Sequence, residues 1–179
     1  MTSGVLLYGP PAAGKDTVTR ALVRLDGRYR QFRRLKLGAG RTDGYRMTNS
    51  QEIERLRQAG DLIWENRRYN SAYFVDRDFL FRELAQGWPV IHLGQPLAIS
   101  AIKRSFSKSN WLVVYLWCPR DVAERRAIER GTGDVAERMA AWDATESLTE
   151  GLKINTSRSS PIEAAVQIDA AFRRMLTPT

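Results

Sequence analysis

The chain has 179 residues, 43% of them hydrophobic, which is enough for one well-buried domain and too little for two. Its only cysteine, Cys118, excludes an internal disulfide, and no apolar stretch approaches the roughly 18 residues of a membrane span, so the sequence reads as a soluble, cytoplasmic protein. A formal charge of +8, carried mostly by arginine, suits anionic ligands; with no basic run interleaved with aromatics, phosphorylated small molecules rank above nucleic acid.

In chain order, Val5 to Tyr8 is a short apolar run that suits a buried parallel strand, and Asp16 to Leu25 has helical spacing with Val18, Leu22 and Leu25 on one face. Between them lies Gly9-Pro10-Pro11-Ala12-Ala13-Gly14-Lys15-Asp16-Thr17, a glycine-rich phosphate loop of the form GxxxxGK. The strand before it and the helix after it give the pattern its mechanism. Glycines let the backbone curl around an anion, successive N–H groups converge on it, and the helix N-terminus adds positive dipole. Lys15 then reaches the β- and γ-phosphates, so the loop predicts a nucleoside triphosphate ligand, ATP with Mg²⁺. Asp16 replaces the hydroxyl that usually follows the lysine and holds the metal, and Thr17 comes directly after it. Two readings of Asp16 stand side by side: a metal ligand alongside Thr17, or an acidic residue stabilising the first helical turn.

Further along, Phe32 to Leu37 reads as a second strand, and Thr48-Asn49-Ser50 as the cap of a helix from Gln51 to Ala59 stopped by Gly60. Leu62 to Trp64 and Tyr69 to Val75 read as short extended segments. Asp76 caps a helix to Gln86, Val90 to Leu93 is a strand, and Leu97 to Phe106 a helix. Leu112 to Trp117 is the most apolar strand of the chain, after which Asp121 caps a helix to Arg130. A turn at Gly131-Thr132-Gly133, a helix from Val135 to Ala144, a strand from Leu152 to Asn155 and a helix from Pro161 to Leu176 complete the chain. Strands separated by helices at this spacing imply a three-layer α/β/α fold with a parallel central sheet and the nucleotide at the strand C-termini.

Four segments taken in order, GPPAAGKDT, GRTDGYRMTNSQEI (from Gly40), LIWENRRYNS (from Leu62) and ERRAIERGTGDVAERM (from Glu124), resemble the guanylate-kinase-like branch of P-loop nucleoside monophosphate kinases. The resemblance implies a single kinase domain over 1–179, an acceptor-binding insert over about 35–75 and an arginine lid over about 126–138. It implies Arg41, Tyr45 and Tyr69 as holders of the acceptor phosphate, where a guanidinium and a tyrosine hydroxyl neutralise charge and orient the acceptor oxygen. Arg126, Arg130 and Arg138 resemble the lid arginines that stabilise charge on the transferring phosphoryl group, and helical spacing places Arg126 and Arg130 on one face. Asn155 begins the turn that related kinases bring against the adenine.

Ile63 stands where guanylate kinases carry a guanine-pairing glutamate, and Glu65, just past Trp64, is the alternative carboxylate if the strand places it on the side of Ile63. The resemblance therefore leaves the acceptor open. Kinases of ribose 1,5-bisphosphate also carry an aspartate after the loop lysine, and the chain is similar to them there. His92, the single histidine, reads either as an acceptor contact at the end of a central strand or as a hydrogen-bonded core residue. Together these features predict an ATP-dependent phosphotransferase that moves the γ-phosphoryl group to a nucleoside monophosphate or similar phosphorylated small molecule, as a monomer or homodimer, with a ribose 1,5-bisphosphate-type sugar kinase as the variant of this reading. A non-catalytic guanylate-kinase-like binding module is the alternative, although the degraded phosphate loop that marks such modules is missing.

Overall fold

The computed structural model describes residues 1–68 and 70–177. Tyr69, expected at the acceptor phosphate, lies outside the described residues. The elements are β1 (Ser3–Tyr8), α1 (Lys15–Leu25), β2 (Tyr29–Gln31), β3 (Leu35–Leu37), β4 (Arg46–Met47), α2 (Ser50–Gln58), β5 (Leu62–Arg68), β6 (Ser71–Asp76), α3 (Arg77–Gln86), β7 (Trp88–Leu93), α4 (Pro96–Ser105), β8 (Asn110–Trp117), α5 (Arg120–Arg130), α6 (Val135–Asp143), β9 (Leu152–Asn155) and α7 (Pro161–Leu176).

Five strands form an all-parallel sheet in the order β2-β7-β1-β8-β9. Because β1 is paired on both sides, every one of its residues is buried, and alternate side chains serve opposite layers. Val5 and Leu7 pack with Val18 and Leu22 of α1 and Ile168 and Phe172 of α7. Leu6 and Tyr8 pack with Leu80 and Leu84 of α3 and Ile102 of α4. Burying one such aliphatic side chain contributes about 1.5–3 kcal/mol, so these two apolar layers dominate the stability. The result is a three-layer α/β/α architecture. The strand order reverses at β1, which makes the C-terminal ends of β1, β7 and β8 the crevice where ligands bind in such sheets.

A smaller mixed sheet, β4-β3-β6-β5, occupies residues 35–76 and carries α2 on one face, through Ile53 and Leu56 against Leu35, Ala72 and Phe74. Here the structure corrects the expected Phe32–Leu37 strand. The central sheet ends at Gln31, the chain crosses over, and β3 belongs to the small sheet. Phe32 makes the crossing because its ring fills the core against Phe79, with centroids 5.3 Å apart, while its N–H donates to Val90 O at 3.0 Å.

Helix ends follow local chemistry. Asn49 caps α2 by accepting from Glu52 N, and Ser160 with Glu163 forms a reciprocal capping box before α7. The two aspartates expected to cap behave differently. Asp76 occupies the N-cap position of α3 without capping it, since its buried carboxylate accepts instead from the Arg46 guanidinium. Asp121 sits inside the first turn of α5, which starts at Arg120 after Pro119. No helix among the described residues is long and apolar enough to cross a membrane.

Candidate active site

The phosphate loop runs from Gly9 to Thr17 at the end of β1. Gly9 is fixed by close approach: its N–H donates to Leu93 O at 3.2 Å, and a Cβ built on it would lie 2.1 Å from Leu116 O. Gly14, in the left-handed region at φ 86, is the N-cap of α1 and offers no side-chain cap. The first-turn N–H groups of α1 therefore have neither a capping side chain nor a preceding helical carbonyl, and they face outward as anion donors. Pro10, Pro11, Ala12 and Ala13 complete the curl, with Ala12 itself at φ 59 and Ala13 N donating to Pro10 O at 3.4 Å.

Lys15 folds back over the loop, its Nζ donating to Gly9 O at 2.6 Å and to Pro10 O at 2.7 Å. Burial lowers its pKa to about 7, against the pull of Asp16, and Arg34, Arg68 and Arg130 push in the same direction as burial. An ammonium so depressed, surrounded by guanidinium groups, is a site built for negative charge that the protein alone does not supply.

Asp16 joins the loop to the neighbouring cleft. Its Oδ2 accepts from Arg41 Nη1 at 2.9 Å, and its Oδ1 lies 3.5 Å from His92 Nδ1. Burial opposes its ionisation, but the hydrogen bond and charge of Arg41, with the charge of Arg130, outweigh that and hold the carboxyl below the usual range. His92 sits 2.7 Å from Thr19 Oγ1 through Nε2. Burial pushes its imidazole down to about 3, against Asp16 and reinforced by Lys15, Arg34 and Arg41, so the ring is neutral. A carboxylate only accepts, so the tautomer that fits carries its proton on Nδ1, facing Asp16, and accepts a hydrogen bond from the Thr19 hydroxyl at Nε2. Thr17 Oγ1 donates to Gly14 O at 2.8 Å on the exposed side of the same turn.

The cleft itself is lined by Asp16, Gln31, Arg34, Arg41, Tyr45 and His92 and encloses only about 20 Å³, room for one water, because Arg41 bridges to Asp16 across its mouth. Arg41 is positioned from below. Lys36 is 2% exposed, and its Nζ donates to Ala39 O at 2.6 Å and Arg41 O at 2.8 Å, which fixes the loop that carries the arginine. Tyr45 packs against Tyr73 with centroids 5.3 Å apart and the rings tilted by 50°, and Arg34 lies over both rings at 5.9 and 5.1 Å.

Strand β5 determines what the small sheet shows to the cleft. A bulge between Leu62 and Trp64 packs both Ile63 and Trp64 into the core beside α3 and α4. Beyond it, Asn66 and Arg68 alternate onto the face shared with Tyr73 and Ser71, and Arg68 Nη1 comes within 3.3 Å of where a Gly94 Cβ would stand. Glu65 pairs with Phe74 on the opposite face, where its exposed carboxylate accepts from Arg57 Nη2 of α2 at 2.8 Å. The expectation that Glu65 replaces a base-pairing glutamate on the side of Ile63 is thus corrected by the bulge, which breaks the alternation between them.

The arginines of α5 and α6 fall into three environments. Arg126 is partly buried and donates to Ala12 O at 3.2 Å, Thr156 Oγ1 at 3.0 Å and Thr156 O at 2.7 Å, clamping the phosphate loop to the turn after β9. Arg130, exposed at the end of α5, acts on Lys15 and Asp16 through its charge. Arg138 is fastened through Nε to Asp134 Oδ1 at 2.7 Å, which also accepts from the Thr132 hydroxyl. Asn155 closes its own turn, its Oδ1 accepting from Ser157 N at 2.9 Å. The structure therefore brings together Lys15, Asp16, Thr17, Arg41, Tyr45, His92 and Arg130, while Glu65 is turned away to Arg57 of α2.

Sequence reasoning missed Arg34, Lys36, Arg68, Tyr73 and Thr19. Arg34 and Arg68 each end an Arg-Arg pair, a visible signal with no indication of which member faces inward. Among the described residues no group of three or more His, Cys, Asp or Glu side chains is gathered to hold a metal ion; Asp16 and Asp43 are the carboxylates that line the cleft, and both pair with Arg41.

No family model matches the sequence, and no curated protein matches it. Solved structures do. A guanylate kinase from Anaplasma phagocytophilum superposes with a TM-score of 0.68 at 15% identity, covering 99% of this chain and 88% of that one. A gluconokinase from Sinorhizobium meliloti 1021 superposes with a TM-score of 0.59 at 15% identity, covering 98% of this chain and 96% of that one. At this identity the likeness is one of fold, and the chain has the guanylate-kinase-like, three-layer α/β/α P-loop kinase fold.

Proposed function

We propose that this protein is an ATP-dependent kinase that moves the γ-phosphoryl group to the phosphate of a small phosphorylated acceptor. The single observation that carries this reading is the juxtaposition at the C-terminal ends of β1 and β7. A phosphate loop closed by Lys15 opens next to a cleft lined by Arg34, Arg41 and Tyr45, with Asp16 between them. Phosphoryl transfer needs positioning and charge stabilisation rather than a strong base when the acceptor is itself a phosphate. The neutral His92 fits that requirement, since it orients Asp16 and does not compete for protons.

The residues present fit the nucleotide. Lys15 and the first-turn N–H groups of α1 would hold its β- and γ-phosphates, and Arg130 would add positive charge at the transferring group. Mg²⁺ takes most of its ligands from the nucleotide and water, so the protein needs to offer it only Asp16 and the Thr17 hydroxyl. The bound ion would neutralise charge on the transferred phosphoryl oxygens. Arg41 would leave Asp16 for the acceptor phosphate, which opens the cleft and frees the carboxylate in one movement.

Among acceptors, a phosphorylated sugar of the ribose 1,5-bisphosphate type is favoured over a nucleoside monophosphate. Asn66 and Arg68 share the face of β5 that carries Tyr73, and Arg68 acts on Lys15 through its charge, while Glu65 is turned to α2 and offers no carboxylate to a base edge. ADP release from MgATP is to be measured against GMP, dGMP, AMP, CMP, UMP and ribose 1,5-bisphosphate. The expected result is stimulation by the sugar bisphosphate, reduced by ~10²-fold or more in Lys15→Ala. Full activity of Lys15→Ala would refute the mechanism, and tight ATP binding without turnover on any acceptor would favour the binding-module reading.

A further inference from the structure

A second basic surface lies behind the acceptor cleft, and the phosphotransfer reading does not use it. The outer face of α1, the edge strand β2 and the start of α3 enclose a groove of ≈ 520 Å³, within the range of small-molecule sites. Four arginines line it: Arg20 and Arg24 one turn apart on α1, Arg30 on β2, and Arg33 just after it. One carboxylate, Glu83, answers them, and Arg30 occupies it at 3.0 Å. Among the described residues, Arg20, Arg24 and Arg33 are exposed and have no ion-pair partner. Like charges at i and i+4 repel, so Arg20 and Arg24 destabilise their helix slightly unless an anion lies between them. Val23 and Phe79 give the groove an apolar wall beside the charges.

The groove also communicates with the cleft. Gln31 lines both, and Thr19, on the floor of the groove, meets His92 Nε2 at 2.7 Å, whose Nδ1 lies 3.5 Å from Asp16. We propose that this groove is a second anion site, taking a small polyphosphorylated molecule with an apolar or ring portion, and that its occupancy is transmitted to Asp16 through Thr19 and His92. The phosphates would sit between Arg20, Arg24 and Arg33 in bidentate contacts, with the ring against Val23 and Phe79. The binding part of this proposal is independent of the phosphotransfer reading, because it uses no residue of the phosphate loop.

Calorimetric titration with inorganic tripolyphosphate tests it, using the wild type, Lys15→Ala, and the surface triple variant Arg20→Ser/Arg24→Ser/Arg33→Ser. The triple variant is expected to bind one equivalent fewer than the wild type, while Lys15→Ala keeps the groove equivalent and loses the loop one. Equal stoichiometry and affinity in the wild type and the triple variant would overturn the site, whatever becomes of the loop. Retention of a DNA oligonucleotide that depends on the three arginines, without a stoichiometric tripolyphosphate site, would overturn the small-ligand assignment in favour of a polynucleotide. The coupling is read from the imidazole ¹⁵N resonances of His92, the only histidine in the chain. In Lys15→Ala, filling the groove is expected to shift them, and Thr19→Val to abolish the shift when compared at tripolyphosphate concentrations that saturate the groove of each variant. Unmoved His92 resonances at groove saturation would overturn the coupling.

Discussion

Lys15 provides a sharp test of how the phosphate loop is built, because its charge state changes when an anion arrives. Burial holds its pKa at about 7, down from the ordinary lysine value of 10.5, with Arg34, Arg68 and Arg130 acting in the same sense. A triphosphate placed against it supplies the missing negative charge and returns the pKa to its ordinary range or above. At pH 8 a lysine with pKa about 7 is roughly one-tenth protonated, so binding takes up about 0.9 proton; at pH 6 the group is already charged and uptake falls to about 0.1. The assay is calorimetry of MgATP binding at each pH in pairs of buffers with different ionisation enthalpies, where the slope of apparent enthalpy against ionisation enthalpy counts protons. Magnesium-bound ATP is fully ionised at pH 8, so uptake there belongs to the protein, and Lys15→Met should remove it. A buffer-independent enthalpy at pH 8 with tight binding would refute the account of Lys15. The linked stability has a definite sign: the unfolded chain binds more protons than the native one between about pH 7 and 10.5, so Lys15 makes the free protein more stable as pH rises through that window.

Three further outcomes follow from the packing. Lys36→Met removes two charged hydrogen bonds to Ala39 O and Arg41 O, each contributing about 1.5–3 kcal/mol before compensation by the buried methionine, so chemical denaturation should show a net loss of about 2 kcal/mol. Because those bonds fix the Arg41 loop, the acceptor KM should rise while ATP affinity is unchanged; an equal effect on both would place Lys36 in general stability only. Asp76→Ala leaves Arg46 without the carboxylate it grips beside Phe79, costing about 3 kcal/mol and lowering Tm by about 6–12 °C, with Arg46→Met/Asp76→Leu recovering most of it. Gly9→Ala drives a Cβ to 2.1 Å from Leu116 O, and should cost at least about 1–3 kcal/mol and weaken nucleotide binding together, since the loop cannot close against β8. Wild-type melting and nucleotide binding in that variant would refute the close approach.

How much of this was legible beforehand depended on range. The loop from Gly9 to Thr17 could be read because its chemistry is made by consecutive residues: the glycines, the backbone N–H groups and Lys15 act together whatever the rest of the chain does. The helix of α2 behind Asn49 was equally readable, since a cap is a contact within three residues. Asp76 was misread for the complementary reason. A capping aspartate and an aspartate buried against an arginine thirty positions away look identical in sequence, and only the approach of β4 to β6 through β3 decides between them.

The sequence by itself determined the phosphate loop, the alternation of strand and helix and hence the layered parallel sheet, because each rests on spacing along the chain. Tertiary structure alone decided the composition of the cleft beside the phosphate loop. Arg34, Arg41 and His92 reach it from the β2–β3 connection, the β3–β4 loop and β7, and which of Glu65 and Arg68 shares the face of Tyr73 depends on one extra residue at the Leu62–Trp64 bulge. A side chain's direction in a strand reverses with every residue, so a single irregularity exchanges the two faces of β5, and no local pattern in the sequence announces it.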